Sequence, residues 1–281
     1  PFPVSSAEAE VTNPTMIANG ASWDKPNSRK WRVVTVDGVD YVKVQTAAVT
    51  PAEVSQWLWA IYPELTNGTF TFKIRSIAKE TYVTADPESD GDITNDVTGN
   101  TKPVRLTQDG TSFTYKHRTG NYYQFAYNNN AGNTLVLSIE GYRTTDAFLG
   151  VYSGNHVGNE VGFPDPVANT NFGFLVSTAS NEQGVFISPF NNNAIKYYVD
   201  DKNNVKATRN TANSENFVWA IYPSFGANGW TFAIKNIGTG LYMYTESTTQ
   251  DHGEGLVIVT ENGTNFTVET GVKFKTPNKD S

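Results

Sequence analysis

Trp59-Ala60-Ile61-Tyr62-Pro63 recurs letter for letter as Trp219-Ala220-Ile221-Tyr222-Pro223, an offset of 160 (219 minus 59). Each copy runs on to an Asn-Gly pair, Asn67-Gly68 and Asn228-Gly229, of the kind that supplies the positive φ a tight hairpin turn needs. An alternating stretch follows in register: Phe70-Thr71-Phe72-Lys73-Ile74-Arg75-Ser76-Ile77 against Trp230-Thr231-Phe232-Ala233-Ile234-Lys235-Asn236-Ile237. Apolar and polar residues alternating with period two mark half-buried strands. Farther on, Thr107-Gln108-Asp109-Gly110-Thr111-Ser112-Phe113-Thr114 matches Thr260-Glu261-Asn262-Gly263-Thr264-Asn265-Phe266-Thr267 at an offset of 153 (260 minus 107). The first copy therefore carries seven extra residues (160 minus 153) between 85 and 103. Two homologous halves explain the pattern, and they predict two domains, 1–180 with long loops and 181–281.

A shorter motif repeats inside each half: a strand, a tight turn, then an aromatic residue opening the next strand. Six turns carry it, leading into Tyr41, Tyr82, Tyr122, Tyr197, Tyr242 and Phe274. A unit of roughly 40 residues with short strands cannot bury its own apolar face and must close on its neighbours. The wording of the second copy, Trp219-Ala220-Ile221 and then Trp230-Thr231-Phe232-Ala233-Ile234-Lys235-Asn236-Ile237-Gly238-Thr239-Gly240-Leu241-Tyr242, resembles the ricin B-like β-trefoil domains of secreted bacterial surface proteins. The resemblance covers most of 31–125 and 184–275. It implies an all-β chain of two tandem β-trefoil-like domains. The second is either incomplete at its C-terminus or completed by strands from the N-terminal residues 1–30.

Bulk composition agrees with strands. Aromatics reach 13%, with 14 Tyr, 16 Phe and 6 Trp, and such side chains suit a pleated, half-buried surface. The one helical candidate, Pro51-Ala52-Glu53-Val54-Ser55-Gln56, has Thr50 placed as a cap and Pro at the first helical position. Charged residues are only 17% and the net charge is -7, so no basic stripe exists to neutralise a phosphate backbone and nucleic acid is excluded as a partner. The absence of cysteine removes disulfide frameworks, thiolate metal sites and thiol nucleophiles together. No apolar run approaches a membrane span. The neutral polar surface, the missing cysteines and the Pro1-Phe2-Pro3 start predict a secreted or cell-surface bacterial protein whose signal peptide has been removed.

Catalytic chemistry finds little footing. His117, His156 and His252 are isolated, whereas nucleophilic catalysis needs a base beside a hydroxyl or thiol. The chain is therefore read as no enzyme and as having no catalytic residue or obligate cofactor. The stretch Asp86-Pro87-Glu88-Ser89-Asp90-Gly91-Asp92 has oxygen ligands at alternate positions and a Gly near the bend, as calcium loops do. Asp86, Glu88, Asp90 and Asp92 are thus candidate calcium ligands. A solvated acidic hairpin loop is the other reading.

In the ricin-like family an acid shortly after the turn holds sugar hydroxyls while an aromatic stacks on the ring. The resemblance makes Asp86, Asp200 and Glu246 candidate binding acids and Trp57, Trp59 and Trp219 candidate aromatics. The family's Gln-x-Trp reads Trp57-Leu58-Trp59 and Phe217-Val218-Trp219 here. Buried, the tryptophans are scaffold; exposed in a groove, they are a site. The expected function is a non-catalytic carbohydrate-binding or adhesion module with a glycan or cell-surface protein as partner. The alternative is a structural or protein-contacting pair of trefoils, an accessory region of a larger polypeptide. The letters shared between copies are turn and core letters, so specificity is expected where the copies differ, at 85–103 and 126–170.

Overall fold

The computed structural model describes residues 3–6, 14–20, 29–91, 103–119, 122–139, 146–153, 160–170, 176–177, 182, 184–189, 192–212, 214–226, 229–245, 256–269 and 273–276. It is all-β. The chain divides into two compact units, Pro1–Asn171 and Phe172–Ser281.

Unit 1 holds β1 (Ala18–Gly20), β2 (Lys30–Val36), β3 (Val39–Gln45), β4 (Trp59–Thr66), β5 (Thr69–Ser76), β6 (Tyr82–Thr84), β7 (Arg105–Thr107), β8 (Thr114–Thr119), β9 (Tyr122–Asn128), β10 (Thr134–Ser138), β11 (Asp146–Phe148), β12 (Gly150–Ser153) and β13 (Glu160–Gly162). Six of these close into a ring. β4 pairs with β5, β8 with β9, β9 with β13 and β13 with β1. The bridges Phe72↔Phe113 and Thr15↔Trp59 join β5 to β8 and β1 to β4. Each arc of the ring sends out a hairpin-like pair: β2–β3, β6–β7 and β10–β12. Twelve of the thirteen strands of unit 1 thus form three successive four-strand sets, with the outer strands of each set in the ring and the inner two beside it, and β11 pairs with β3. Residues 15–20 belong to this ring.

The aromatic-turn repeat translates differently from its letters. The turn at Asp37-Gly38 joins the inner pair β2–β3, the turn before Tyr82 joins β5 to β6, and the letters before Tyr122, of which 120–121 lie outside the described residues, fall between β8 and β9. These are three different corners of the set, although their spacing in the chain is even.

Unit 2 holds β14 (Lys196–Val199), β15 (Val205–Thr208), β16 (Trp219–Gly226), β17 (Gly229–Asn236), β18 (Tyr242–Thr245), β19 (Val257–Thr260), β20 (Thr267–Glu269) and β21 (Lys273–Lys275). Its strand pairings β14–β15, β16–β17, β17–β18, β18–β19 and β20–β21 have counterparts in β2–β3, β4–β5, β5–β6, β6–β7 and β8–β9 of unit 1. The β4–β5 hairpin pairs Trp59↔Ser76 through Thr66↔Thr69, and β16–β17 pairs Trp219↔Asn236 through Gly226↔Gly229. Gly229 therefore sits in its strand, opposite Gly226, and residues 227–228 lie outside the described residues. Bridges Val185↔Trp219 and Phe232↔Phe266 reproduce Thr15↔Trp59 and Phe72↔Phe113. Among the described residues, no strand joins β21 back to the segment around Val185.

The recurring letters are explained by packing. Trp59 is fully buried, meets Trp31 edge-on at 5.7 Å and donates its Nε1–H to the Trp31 carbonyl at 3.3 Å. Trp219 is buried in the same way and donates to the Tyr197 carbonyl at 3.2 Å. A buried indole needs such a partner, because an unmet N–H in an apolar core is costly. Gly110 and Gly263 face the same close approach: a Cβ on either would lie 2.5 Å from the Cβ of Tyr82 or Tyr242 respectively. The single helical expectation becomes a 3-10 helix, Pro51–Trp57, and Thr50 gives its backbone no side-chain cap. The Thr50 hydroxyl instead donates to Glu53 Oε2 at 3.2 Å.

Candidate functional site

Trp57, Trp59 and Trp219 are fully buried. None can offer a face to a ligand, which corrects the reading of these residues as binding aromatics. Trp57 lies beneath the guanidinium of Arg32, 5.2 Å from the ring centroid.

The candidate acids sit at one structural place, just past the second strand of a set. Asp86 follows β6, and Asp200 follows β14. Asp37 follows β2 in the same position and escaped the sequence reading, because its turn letters differ. Glu246 lies outside the described residues. Asp200 is tied to its own hairpin turn: Oδ1 accepts from the amides of Lys202 and Asn204, both at 2.9 Å, and Oδ2 meets Lys206 Nζ at 2.6 Å. Its bond to Lys206, then the Asn204 amide, holds the carboxyl far below the usual range.

The acidic loop is likewise tied down over 86–91. Asp86 Oδ1 accepts from the Glu88 amide at 2.8 Å, and its carbonyl accepts from the Tyr127 hydroxyl at 2.8 Å. Asn130 Nδ2 donates to Glu88 Oε1, and Asn129 Nδ2 donates to the Ser89 carbonyl at 2.9 Å. Burial, followed by the nearby Asp86 charge, pushes the Tyr127 hydroxyl above its ordinary pKa. Among the described residues, no three His, Asp or Glu side chains converge as a metal site would require. Asp92 lies outside them.

What the structure brings together instead is a polar pocket of about 530 Å³ in unit 1. It lies between β2, the 3-10 helix and the β5–β6 turn, and is lined by Arg32, Thr35, Ser55, Gln56 and Lys79. On one side Arg32 donates to Gln56 Oε1 from Nη2 at 2.7 Å and from Nε at 3.0 Å, and to Glu53 Oε1 at 2.9 Å. On the other, Lys79 Nζ reaches Asp40 Oδ1 and Thr35 Oγ1, both at 3.0 Å, while the Thr35 hydroxyl donates to Asp40. Both cations are held in place by neighbouring side chains, and acceptors stand beside donors on each flank. Single-residue reasoning missed this pocket because its residues are unremarkable letters from three separated stretches, 32–40, 53–56 and 79.

No family model matches the chain, and no curated protein sequence matches it. The solved structure of a mosquitocidal holotoxin is similar with a TM-score of 0.45 and 14% identity, over 89% of this chain and 27% of that one. The chain thus spans about a quarter of the holotoxin chain.

Proposed function

We propose that the chain is a non-catalytic carbohydrate-binding or adhesion module of a secreted or cell-surface bacterial protein, built on β-trefoil-like units. The closed six-strand ring with three capping pairs supports the trefoil reading of unit 1. The repeated order of strand pairings in β14–β21 supports the same kinship for unit 2. The observation that carries the function is the polar pocket at Arg32 and Lys79. Sugar hydroxyls both donate and accept, so they suit a surface in which amide, carboxylate, hydroxyl and cationic groups alternate. Side chains already locked by charge-assisted bonds lose little freedom on binding. Partners are accordingly a glycan or a glycosylated surface protein.

Calcium is proposed only as an accessory ion of the loop that begins at Asp86. The test is a glycan array probed with the full chain, with and without EDTA, followed by titration calorimetry on any hit. Arg32→Ala and Lys79→Ala should each weaken binding about ten-fold or more, as loss of a charge-assisted hydrogen bond does. Absence of binding to every glycan, or binding indifferent to both substitutions, refutes the assignment.

The second reading, a protein-contacting accessory region of a larger polypeptide, is favoured by a different observation. Within unit 2, Ile187, Tyr197, Ile234, Met243 and Phe274 line an open cavity of about 910 Å³.

A further inference from the structure

The walls of the pocket at Arg32 and Lys79 leave donors unused and scarcely any acceptor. Arg32 directs Nε and Nη2 to Gln56 and Glu53, and among the described residues no bond uses its Nη1. Lys79 Nζ donates to Asp40 and Thr35, and an ammonium has a third N–H to give. Gln56 Oε1 already accepts twice from Arg32, while its Nε2 donates to no group among the described residues. The Thr35 hydroxyl both donates to Asp40 and accepts from Lys79. What remains on the walls is therefore Arg32 Nη1, Gln56 Nε2, one N–H of Lys79 and the Ser55 hydroxyl. The first three can only donate, and none of the four is sealed in the interior.

Charge points the same way. The chain as a whole carries a net charge of -7, yet the charged residues on the pocket walls are Arg32 and Lys79. Glu53 and Asp40 pair with them from outside those walls. Arg32 is also fixed from behind, its guanidinium resting 5.2 Å from the ring centroid of the fully buried Trp57. A carboxylate or sulfate brings acceptors alone, and its bonds to a cation are about twice as strong as neutral ones. A neutral hydroxyl brings a donor as well, and the Ser55 oxygen is the one acceptor left among these side chains to meet it. The pocket, at about 530 Å³, has the size of a small-molecule site, roughly 300–1,000 Å³, so the anionic group enters as part of a larger ligand.

We propose that this pocket selects an acidic sugar, one whose carboxylate or sulfate oxygens accept from Arg32 Nη1 and Lys79 Nζ while its hydroxyls meet Gln56 Nε2 and Ser55 Oγ. This inference rests on the carbohydrate-binding reading above and names the class of glycan within it. Glu53, which holds Arg32 Nη2 at 2.9 Å and accepts from the Thr50 hydroxyl, competes with the ligand's anionic group for the guanidinium. Removing that competing charge therefore strengthens binding, whereas removing either cation abolishes the preference for acid.

The test is titration of the full chain with matched pairs: glucuronic acid against glucose and sialyllactose against lactose for the carboxylate, glucose 6-sulfate against glucose for the sulfate. An acidic member should bind about ten-fold or more tightly than its neutral counterpart, as charge-assisted bonds require. Raising sodium chloride from about 0.05 to about 0.5 M should weaken the acidic member several-fold through screening and leave the neutral one unchanged. Arg32→Gln and Lys79→Gln should each bring the pair within about three-fold of one another, and Glu53→Gln should tighten the acidic member about two-fold or more, the scale of a surface ion pair. The pair and salt comparisons need no variant to fold. Neutral sugars binding as tightly as acidic ones would overturn this inference and leave the carbohydrate-binding reading standing. So would acidic binding that ignores salt or both cation substitutions, or that weakens in Glu53→Gln. Competition by inorganic sulfate alone as effective as that of the acidic sugar would make this an anion site and overturn it too. Failure of every sugar, acidic and neutral, removes both readings together.

Discussion

Ile74 and Ile234 occupy the same position in the two long hairpins, opposite Ile61 and Ile221. They are 0% and 1% exposed, so surface area alone makes them equivalent. Their surroundings differ: Ile74 belongs to a closed core, whereas Ile234 lines the open cavity of about 910 Å³. Truncation to Ala removes three carbons, worth about 2.4 kcal/mol at ~0.8 kcal/mol per buried CH₂. In unit 1 the loss also leaves a new void in a close-packed interior, and the cavity term raises the total to about 3–4 kcal/mol. In unit 2 the removed atoms leave no new enclosed void, so the expected loss stays near the transfer value of about 2.4 kcal/mol. Native-state hydrogen exchange resolves the two, since amides of β5 report opening of unit 1 and amides of β17 report opening of unit 2. Ile74→Ala should lower the opening free energy of its own unit by about 1–2 kcal/mol more than Ile234→Ala lowers that of the other, the cavity term being the difference. Equal losses, or a larger loss in unit 2, would refute the reasoning and mean that unit 2 is packed as tightly as unit 1.

Two further outcomes are expected. Asp200 has its folded pKa depressed, by Lys206 first and then by the Asn204 amide, so its stabilising contribution is present above the unfolded carboxyl value and is lost as pH falls through the folded one. Asp200→Asn should therefore destabilise unit 2 at neutral pH, with the gap to the unsubstituted protein narrowing below about pH 4, near the unfolded Asp pKa; a gap constant from pH 7 to pH 2 in urea titrations would contradict the hairpin-locking role. Gly110→Ala and Gly263→Ala face the same 2.5 Å approach to a tyrosine Cβ, but only Gly110 has a positive φ, +71°. Overpacking costs about 1–3 kcal/mol at each site, and the left-handed backbone adds about 1–2 kcal/mol at Gly110, so thermal melts should rank Gly110→Ala as the more damaging.

The framework was legible because it is written twice. Trp59 and Trp219, the in-register strands after them and the Gly110–Gly263 match all point to one set of bonds, and that set is what the structure contains. The even spacing of the aromatic turns misled, since a turn before an aromatic can join any two neighbouring strands. Asp37-Gly38, Lys79-Glu80 and the turn before Tyr122 look alike in one dimension and occupy different corners in three. The role of residues 15–20 was hidden for another reason. Their ring strand, Ala18-Asn19-Gly20, lacks the alternation that marks strands, and it is held by neighbours on both sides.

The candidate site was legible in part for the same reason. An acid recurs past the second strand as Asp37, Asp86 and Asp200, and a recurring acid invites a ligand role. At Asp86 and Asp200 the structure gives the recurrence a local cause: the chain leaving that strand turns sharply, and the carboxylate accepts the amides that the turn leaves unpaired. A carboxylate that holds its own turn cannot take up hydroxyls without releasing backbone groups, each of which is costly to leave unmet. Recognition is better served by side chains tied to one another than by side chains tied to their own loop. Arg32 with Gln56 and Glu53, and Lys79 with Asp40 and Thr35, meet that condition. Displacing one partner of such a pair leaves the backbone intact, so a ligand can exchange into the network at the cost of a single side-chain bond.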